Sequence, residues 1–395
     1  MTYPPLWSSD VEARIRVEAR NLDPQKVPDH VQMCTKCVVT NQRPRITFDA
    51  EGVCSACRYA ESRVNVDWVA RRQELVKLLE WYRPRTTSGY DVIVPCSGGK
   101  DSSTVAYRLK HEFGARVLCV KWGPFVYTDI GRQNIDALVQ AGFDFIEMTP
   151  NGLLHRRLSR LAFEYLGDHF QPFIYGQLAF PMHMAVKLGV SLVFGAENGE
   201  ATYGGDTAAN DKPGWGFGDW ERIYLKGHGI QKLIDIGSAV GAFTDDDVRS
   251  LSPFYAMPTP CDAEYRWLSY YLPHHPQGNL YFASEHTGFT PNPERNVGTF
   301  SRYASIDDAT DDFHYYLSWA KFGLGRATSD AAHEVRDGDL TRDEALALVT
   351  KYDGEFPPQP KYDLFKDYLG LDDGQFNRVI ERFRRNVKSP AHRAA

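Results

Sequence analysis

Short apolar runs alternate with longer amphipathic stretches along the first half of the chain. A short apolar run bounded by turn residues predicts a buried strand, and apolar residues spaced three and four apart predict a helix. By this pattern, strands are predicted over residues 90–95, 115–120, 143–148 and 190–194, and helices over 102–113, 130–141, 153–166 and 178–188.

This alternation predicts the α/β class, with a doubly wound, mostly parallel sheet. Ligands of such folds bind beyond the carboxyl ends of the strands. Ser97, Lys121 and Gly195 follow three of the predicted strands. We therefore expect the functional site near these residues.

The pattern weakens outside the sheet region. Helical spacing recurs over residues 64–81, 307–319 and 341–351. The last of these helices opens with Thr341 and carries Glu344 three residues on, which is a capping box. Residues 203–299 are irregular and rich in Gly, Pro and aromatic residues. Within them, Trp215–Trp220 is predicted to be a loop whose rings either stack on a ligand or pack against the sheet.

The composition, with 43% hydrophobic and 24% charged residues, is that of a soluble globular protein. The net charge of −6 argues against nucleic acid as a partner, and only residues 378–393 are locally basic. The first thirty residues lack the apolar segment of a secretory signal, and no apolar run is long enough to span a membrane. We expect a cytoplasmic protein with no membrane partner.

A glycine-rich turn follows the first predicted strand and opens the next helix. It consists of Ser97, Gly98, Gly99, Lys100, Asp101 and Ser102. The glycines let backbone N–H groups approach an anion, and the start of a helix favours negative charge. Lys100 adds positive charge, and Asp101 is suited to hold a magnesium ion or its waters. A plain connecting turn is the alternative, but the full string after a buried strand favours a phosphate site.

The turn lacks the GxxxxGK[ST] pattern of a Walker loop. It resembles the SGGxDS signature of PP-loop ATP pyrophosphatases, which adenylate a substrate oxygen and release pyrophosphate. That resemblance implies ATP and Mg²⁺, with Lys100 and Asp101 as the catalytic residues of the loop. In the superfamily, the ends of the second and fourth strands help hold adenine and ribose. By position these are Lys121, Gly195 and Glu197, and Glu197 is equally well explained as a surface acid.

Two CxxC pairs precede the predicted sheet. They are formed by Cys34, Cys37, Cys54 and Cys57. This spacing is typical of a zinc ribbon, in which four thiolates surround one ion. A complete thiolate shell leaves no open position, so we expect structural Zn²⁺. An iron–sulfur cluster and a metal-free group of buried thiols are the alternatives.

The remaining cysteines and the histidines carry weaker signals. Cys96 and Cys119 lie on predicted strands near the glycine-rich turn, where they either pack in the core or take part in sulfur chemistry. His183, His274 and His275 have no ligand partner at metal-binding spacing, and we expect them to be structural.

The chain divides into segments of different character. They are an N-terminal arm (1–33), the zinc ribbon (34–60), an ATP-binding α/β domain (61–205), a substrate-binding insertion that continues the core (206–330) and a helical C-terminal region (331–395).

The zinc-ribbon segment MCTKCVVTNQRPRITFDAEGVCSACRYAE, followed by PCSGGKDSS, resembles the N-acetyl sugar amidotransferase family. These WbpG- and PseA-like enzymes act in bacterial surface-polysaccharide and nonulosonate biosynthesis. The resemblance continues through residues 302–308, 321–328, 335–338 and 351–354. It covers nearly the whole chain apart from its two ends.

The resemblance implies a reaction. ATP adenylates the carbonyl oxygen of an acetamido group on a nucleotide-linked sugar, ammonia attacks the activated carbon, AMP leaves and an acetamidino group remains. The sequence shows no glutaminase motif, so the resemblance implies a separate glutaminase subunit that supplies ammonia. The candidates for binding the sugar or its nucleotide phosphates are Arg302, Asp307, Asp308, Lys321 and Arg326. Lys321 and Arg326 would suit a diphosphate, and a surface charge or a local salt bridge is the alternative for each candidate.

Two other functions are compatible with a glycine-rich phosphate loop and a zinc ribbon. A PP-loop tRNA-thiolating enzyme often carries CxxC pairs, but the acidic net charge and the absence of an evident catalytic cysteine pair argue against it. A non-enzymatic interaction subunit would not need the intact SGGKDS string.

Overall fold

The computed structural model describes residues 3–20, 27–28, 30–223 and 229–384. Its strands are β1 Val92–Pro95, β2 Val117–Trp122, β3 Asp144–Met148, β4 Leu192–Gly195, β5 Gly214–Trp215 and β6 Glu264–Trp267. Its helices before β6 are α1 Ser9–Arg20, α2 Ser55–Arg63, α3 Trp68–Tyr82, α4 Lys100–Tyr107, α5 Asp129–Gln140, α6 Gly152–Leu166, α7 Gln171–Leu188, α8 Gly199–Tyr203, α9 Phe217–Ile223, α10 Gln231–Ala239 and α11 Asp245–Arg249. After β6 come α12 Leu268–Tyr271, α13 Pro276–Thr287, α14 Asp311–Phe322, α15 Arg326–Asp337, α16 Arg342–Tyr352, α17 Gln359–Leu369 and α18 Asp373–Arg384.

The six strands form one sheet in the order β3-β2-β1-β4-β6-β5. All neighbouring strands are parallel except β5, which runs antiparallel to β6. The chain extends the sheet in one direction from β1 through β2 to β3 and then crosses to β4 on the other side of β1. This reversal creates a crevice at the carboxyl ends of β1 and β4, where ligands of open α/β sheets bind.

Alternate side chains of the strands enter two hydrophobic cores. Ile93, Leu118 and Val193 pack in the core that includes residues of α6 and α7. Val92, Val94 and Cys119 pack in the core that includes residues of α3, α4 and α5. Burial on both faces explains why these strands are continuously apolar. The mixed α/β class and the mostly parallel sheet are thus confirmed.

The predicted elements of the sheet region are present with small shifts of their ends. The largest is at α7, which begins at Gln171 rather than at residue 178, with Pro172 in its first turn. The helix α4 continues into a π-helical turn over Arg108–Glu112. The capping box of Thr341 and Glu344 opens α16 as expected.

The region predicted to be irregular contains the edge of the sheet. Trp215 and Trp220 belong to β5 and α9, not to a loop, and their buried rings lie 4.8 Å apart between centroids. Both pack in the core with Trp267 of β6. The rings of this segment pack against the sheet, as one of the two alternatives predicted. The prediction that the segment is a loop is wrong, because burial of the rings stabilises a strand and a helix despite the neighbouring glycines.

Helices from both ends of the chain pack around the α/β region. Arg160 of α6 forms a salt bridge with Glu12 of α1 at 2.5 Å. Aromatic residues of α14, α17 and α18 form a separate core around Phe313 and Phe365. Among the described residues, no helix has the length and hydropathy to span a membrane. Residues 385–393 of the basic segment lie outside the described residues.

Candidate functional site

The turn Ser97–Ser102, here called the SGGKDS loop, lies between β1 and α4. Gly98 has a φ of +83°, and a Cβ there would lie 3.1 Å from the Ile135 side chain. The Gly99 N–H donates to Ser97 Oγ at 3.2 Å, and Ser102 Oγ donates to the Gly99 carbonyl at 3.1 Å. The loop is therefore internally braced, and it directs the N-terminus of α4 towards the crevice, where the first N–H groups of a helix lack intrahelical partners.

Lys100 and Asp101 form an ion pair at the start of α4. Lys100 Nζ lies 2.5 Å from Asp101 Oδ2 and 4.8 Å from the centre of the Tyr303 ring. Asp101 Oδ1 accepts a hydrogen bond from Asn279 Nδ2 at 2.9 Å. Burial alone would raise the pKa of Asp101, but Lys100 and His274 outweigh it and lower that pKa to about 2. Asp101 is therefore a fixed, ionised carboxylate at the mouth of the loop.

Lys121 joins the loop to a distant part of the chain. Its Nζ donates to the Ser97 carbonyl at 3.0 Å and lies 3.0 Å from Asp307 Oδ2. The side chain is only 2% exposed. The sequence-predicted residue thus lies beside the loop, with its charge compensated by Asp307.

Glu197 and His274 lie near Asp101. The Asn279 amide is 3.3 Å from His274 Nδ1, and His274 Nε2 is 3.9 Å from Glu197 Oε2. Burial, with the charge of Asp101, raises the pKa of Glu197 to about 7. Burial lowers the pKa of His274 to about 4, so the imidazole is neutral at physiological pH. Sequence reasoning assigned His274 only a structural place, because the loop residue it approaches lies far away in the chain.

Gly195 allows β4 and β6 to pack closely, which its place in the sequence did not indicate. A Cβ at this residue would lie 2.4 Å from Tyr265 Oη and 2.8 Å from the Trp267 ring. Only glycine lets the end of β4 pass so close to β6.

The three basic residues predicted to bind the sugar lie in different surroundings. Arg326, at the start of α15, pairs with Asp330 at 2.8 Å, and its charge acts on Glu197. Lys321 donates to the Leu166 carbonyl at the end of α6. Arg302 is exposed and donates to the Pro293 carbonyl at 3.2 Å. Lys100, Asp101, Glu197, His274 and Asn279 are here called the loop cluster. The charge of Arg326 acts on this cluster, whereas the contacts given for Lys321 and Arg302 do not involve the loop.

The C-terminal residues that reach the loop belong to a recognisable unit. Residues 297–389 match the family model described as LPS biosynthesis protein WbpG-like, C-terminal domain. Residues 297–389 are therefore similar to this domain, and they are here called the WbpG-like domain. The description of the model names a protein of lipopolysaccharide biosynthesis. The comparison with curated proteins gave no match.

The WbpG-like domain contributes acidic and aromatic side chains next to the SGGKDS loop, of which Tyr303 and Glu334 are partly buried and Asp308 is buried. Tyr303 Oη lies 3.5 Å from Glu334 Oε1, beside the Lys100 ammonium. Burial, followed by the charge of Asp330, raises the pKa of Glu334 to about 7. Burial also raises the pKa of Asp308 to about 7, and its Oδ2 accepts from the Phe125 N–H at 2.6 Å. Sequence reasoning missed Tyr303 and Glu334, since isolated Tyr and Glu residues carry no motif.

The four cysteines of the CxxC pairs form one buried cluster. Their sulfur atoms all lie within 4.8 Å of one another, with Cys34–Cys57 at 3.9 Å and Cys37–Cys54 at 3.7 Å. A tetrahedral zinc site with Zn–S bonds of about 2.3 Å has edges of about 3.8 Å, so the cluster could bind one zinc ion. The N–H groups of Lys36, Cys37 and Cys54 approach Cys34 Sγ at 3.3–3.4 Å, as in thiolate sites with supporting hydrogen bonds.

The ribbon packs into the protein between α8 and the WbpG-like domain. Its core includes Ala331 of α15 and Val349 of α16. Arg336 of α15 lies 3.9 Å from Cys37 Sγ, which places positive charge beside the thiolate cluster. Arg45 contacts Glu200 of α8 through two hydrogen bonds of 2.6 and 3.0 Å. The ribbon therefore contacts both α8, which follows Glu197 in the chain, and the WbpG-like domain.

A second group of possible metal ligands does not have the chemistry of a metal site. His275, Asp337 and Asp339 approach one another closely enough to share an ion. However, His275 Nδ1 accepts from the Gly278 N–H at 2.9 Å, so the neutral ring carries its proton on Nε2. That nitrogen lies 3.2 Å from Asp339 Oδ2, and it therefore serves as a donor to the carboxylate instead of a ligand.

Cys96 and Cys119 lie in the same core beside the SGGKDS loop, where their thiols interact, whereas Cys261 is not part of that core. Cys96 is buried, and its Sγ lies 3.3 Å from Ser102 Oγ of the loop. Cys119 is buried in the sheet core. Cys261 is exposed.

Proposed function

We propose that this protein is an ATP-dependent amidotransferase that converts an acetamido group of a nucleotide-linked sugar to an acetamidino group. The observation that carries the proposal is the direct contact between the SGGKDS loop and the WbpG-like domain. Lys100 lies against Tyr303, and Lys121 bridges Ser97 and Asp307. A loop suited to phosphate and a domain of lipopolysaccharide-biosynthesis proteins therefore share one cluster.

The residues present fit ATP with Mg²⁺. The N-terminus of α4 and the Lys100 ammonium suit polyphosphate oxygens, and the ionised Asp101 carboxylate is a ligand of the kind that Mg²⁺ prefers. When bound, Mg²⁺ would neutralise charge on these oxygens. Zn²⁺ in the cysteine cluster would be structural, because four thiolates complete its coordination.

In the proposed reaction, the chain supplies position and charge. The loop holds the α-phosphate of ATP near the acetamido oxygen, and Lys100 stabilises the negative charge that develops on the phosphate. Arg326 would contact the sugar or its diphosphate, and Arg302 and Lys321 are further candidates for binding it. A separate glutaminase subunit would supply ammonia, and the reaction would take place in the cytoplasm.

AMP formation tests this proposal. The protein is incubated with ATP, Mg²⁺, ammonium chloride and UDP- or CMP-linked diacetamido sugars. We expect AMP together with a product in which an NH group replaces the carbonyl oxygen, identified by mass spectrometry. AMP that forms only when tRNA is added would contradict the proposal and support a tRNA-thiolating enzyme. The absence of AMP with every sugar would also contradict it.

A further inference from the structure

Two arginines of the WbpG-like domain contact the cysteine cluster of the ribbon. Arg336, in the last turn of α15, donates to Cys37 Sγ at 3.9 Å and to the Thr202 carbonyl at 3.0 Å. Arg342, the first residue of α16, donates to the Cys34 carbonyl at 3.2 Å and to the Cys37 carbonyl at 3.3 Å. Both guanidinium groups therefore lie where the ribbon meets the WbpG-like domain.

These two guanidinium groups lack a carboxylate counterion. Among the residues that the structure describes, neither Arg336 nor Arg342 forms a salt bridge with an aspartate or a glutamate, although both side chains are half-buried. Removing a cation from water is unfavourable unless an anion lies close to it. Four thiolates with one Zn²⁺ carry two net negative charges, so the two guanidinium groups match the charge of the zinc-loaded cluster.

We propose that Arg336 and Arg342 are the counterions of the zinc-loaded cysteine cluster and that they fix α15 and α16 against the ribbon. Apolar packing of Ala331, Ala332 and Val349 brings the two helices to the cluster. The thiols become anionic when they bind the metal, so the attraction of the arginines depends on zinc. The WbpG-like domain is therefore held most firmly to the ribbon when the cysteines carry zinc.

Helices α15 and α16, here called the α15–α16 hairpin, extend from the ribbon to the loop cluster. Arg326 and Arg336 stand at opposite ends of α15, which corresponds to about 15 Å along the helix axis. Asp353, at the end of α16, accepts from the N–H groups of Gly325 and Thr328 at 3.0 and 3.1 Å. These bonds close the hairpin beside Arg326, whose charge acts on the loop cluster.

Arg336 is therefore a positioning residue for Arg326, and this part of the inference rests on the proposed function. Asp330, which pairs with Arg326 at 2.8 Å, belongs to the same helix, so the pair moves with α15 as a unit. A displacement of α15 at the ribbon changes where Arg326 lies, whereas the SGGKDS loop belongs to the sheet region. We expect zinc loading to affect binding of the sugar more than binding of ATP.

Zinc release tests the counterion contact. Wild-type protein, Arg336→Gln and Arg342→Gln are loaded with zinc and mixed with an excess of the chelator 4-(2-pyridylazo)resorcinol. We expect zinc to leave each variant about tenfold faster or more, which is the usual effect of removing a supporting contact around a metal site. Equal release rates in the wild type and both variants would overturn the proposal.

Two further variants separate charge from other effects of substitution. Arg336→Lys keeps the positive charge, and its release rate should be closer to that of the wild type than the rate of Arg336→Gln is. Arg378→Gln makes the same chemical change on the exposed face of α18 and should release zinc as the wild type does. A release rate of Arg336→Lys equal to that of Arg336→Gln would contradict a role of charge.

Hydrogen exchange in the wild-type protein tests the contact without a substitution. Backbone amide exchange of the zinc-loaded protein is compared by mass spectrometry with that of protein stripped of zinc by a chelator. We expect zinc removal to speed exchange along the whole of α15, whereas α18, which packs in another core, should keep its protection. Unchanged exchange in α15 would overturn the proposal. An equal loss of protection in α18 would also overturn it, because the effect would then be global unfolding.

Steady-state kinetics test the effect on Arg326. Arg336→Gln and Arg326→Gln should each raise the KM for the nucleotide-linked sugar by about tenfold and leave the KM for ATP unchanged. The double variant should be no worse than Arg326→Gln, because both changes act on the same contact. An unchanged sugar KM in Arg336→Gln, or multiplied effects in the double variant, would refute the positioning role. If no AMP forms with any sugar, the proposed function fails, while zinc release and hydrogen exchange still decide the counterion contact.

Discussion

The carboxyl groups of Asp101 and Glu197 lie close together at the loop but have very different pKa values. Asp101 is held ionised by Lys100 and by its hydrogen bond from Asn279, whereas burial and then the charge of Asp101 raise the pKa of Glu197 to about 7. Two neighbouring carboxyl groups with different pKa values are typical of sites in which one group binds a cation and the other transfers a proton.

Asp101→Asn tests the charge-binding role. The amide preserves the size of the side chain but removes the negative charge that we expect to hold Mg²⁺. AMP formation should fall by about a hundredfold or more, because charge stabilisation in such sites is worth several kcal/mol. Asp136→Asn, on the exposed face of α5, should leave the rate unchanged. Equal rates for wild type and Asp101→Asn would refute the role.

Glu197 makes stability depend on pH in a defined direction. Its pKa rises from the ordinary 4.5 to about 7, so the folded state binds the proton more tightly than the unfolded chain does. This stabilisation is complete below the ordinary pKa and is lost as the pH rises through about 7, up to roughly 3 kcal/mol. Urea unfolding between about pH 5 and pH 8 should therefore show a steeper loss of stability in wild type than in Glu197→Gln. Parallel curves would contradict the assignment.

At the scale of elements, the central strands β1, β2 and β4 could be predicted from the sequence, whereas β5 and β6 at the edge of the sheet could not. The strands β1, β2 and β4 are apolar on both faces, so their composition alone identifies them. In β6 only alternate residues are buried, and its neighbours are rich in proline. The strand exists because it pairs with β4, and that pairing is a long-range contact. Local pattern carries no information about it.

The zinc ribbon shares a hydrophobic core with α15 and α16, so we expect the stability of these helices to depend on it. Cys54→Ser should abolish metal binding and destabilise α15 and α16 together, because both helices pack in the core that contains the cluster. Elemental analysis should give one zinc per wild-type chain and none in the variant, and the Tm should fall. Cys261→Ser removes an exposed thiol and should change neither value. Unchanged stability of zinc-free protein would contradict a structural role.

At the scale of the whole molecule, residues far apart in the chain meet at one cluster. The loop comes from the first part of the sheet, His274 and Asn279 from the segment after β6, and Arg326 from the WbpG-like domain. One connection is the ion pair between the buried Lys121 and the partly exposed Asp307. It joins β2 to the beginning of that domain.

A double-mutant cycle measures this connection. Lys121→Met and Asp307→Asn should each cost about 3 kcal/mol of unfolding free energy, because each leaves a partner charge poorly compensated. The double variant should lose clearly less than the sum of the two, as residues in contact are not additive. Additive losses in urea unfolding would show that the two residues are not coupled in solution.

The sequence alone determined the α/β class, the mostly parallel sheet, the cysteine cluster and the SGGKDS loop. Each of these depends on residues close together in the chain, where spacing and periodicity carry the physical information. Only the tertiary structure decided which residues surround the loop. Burial and charge from distant segments place His274, Asn279 and Tyr303 there and set the protonation of Asp101 and Glu197. Such terms arise only once the chain has folded, because desolvation and Coulomb energies depend on distance in space.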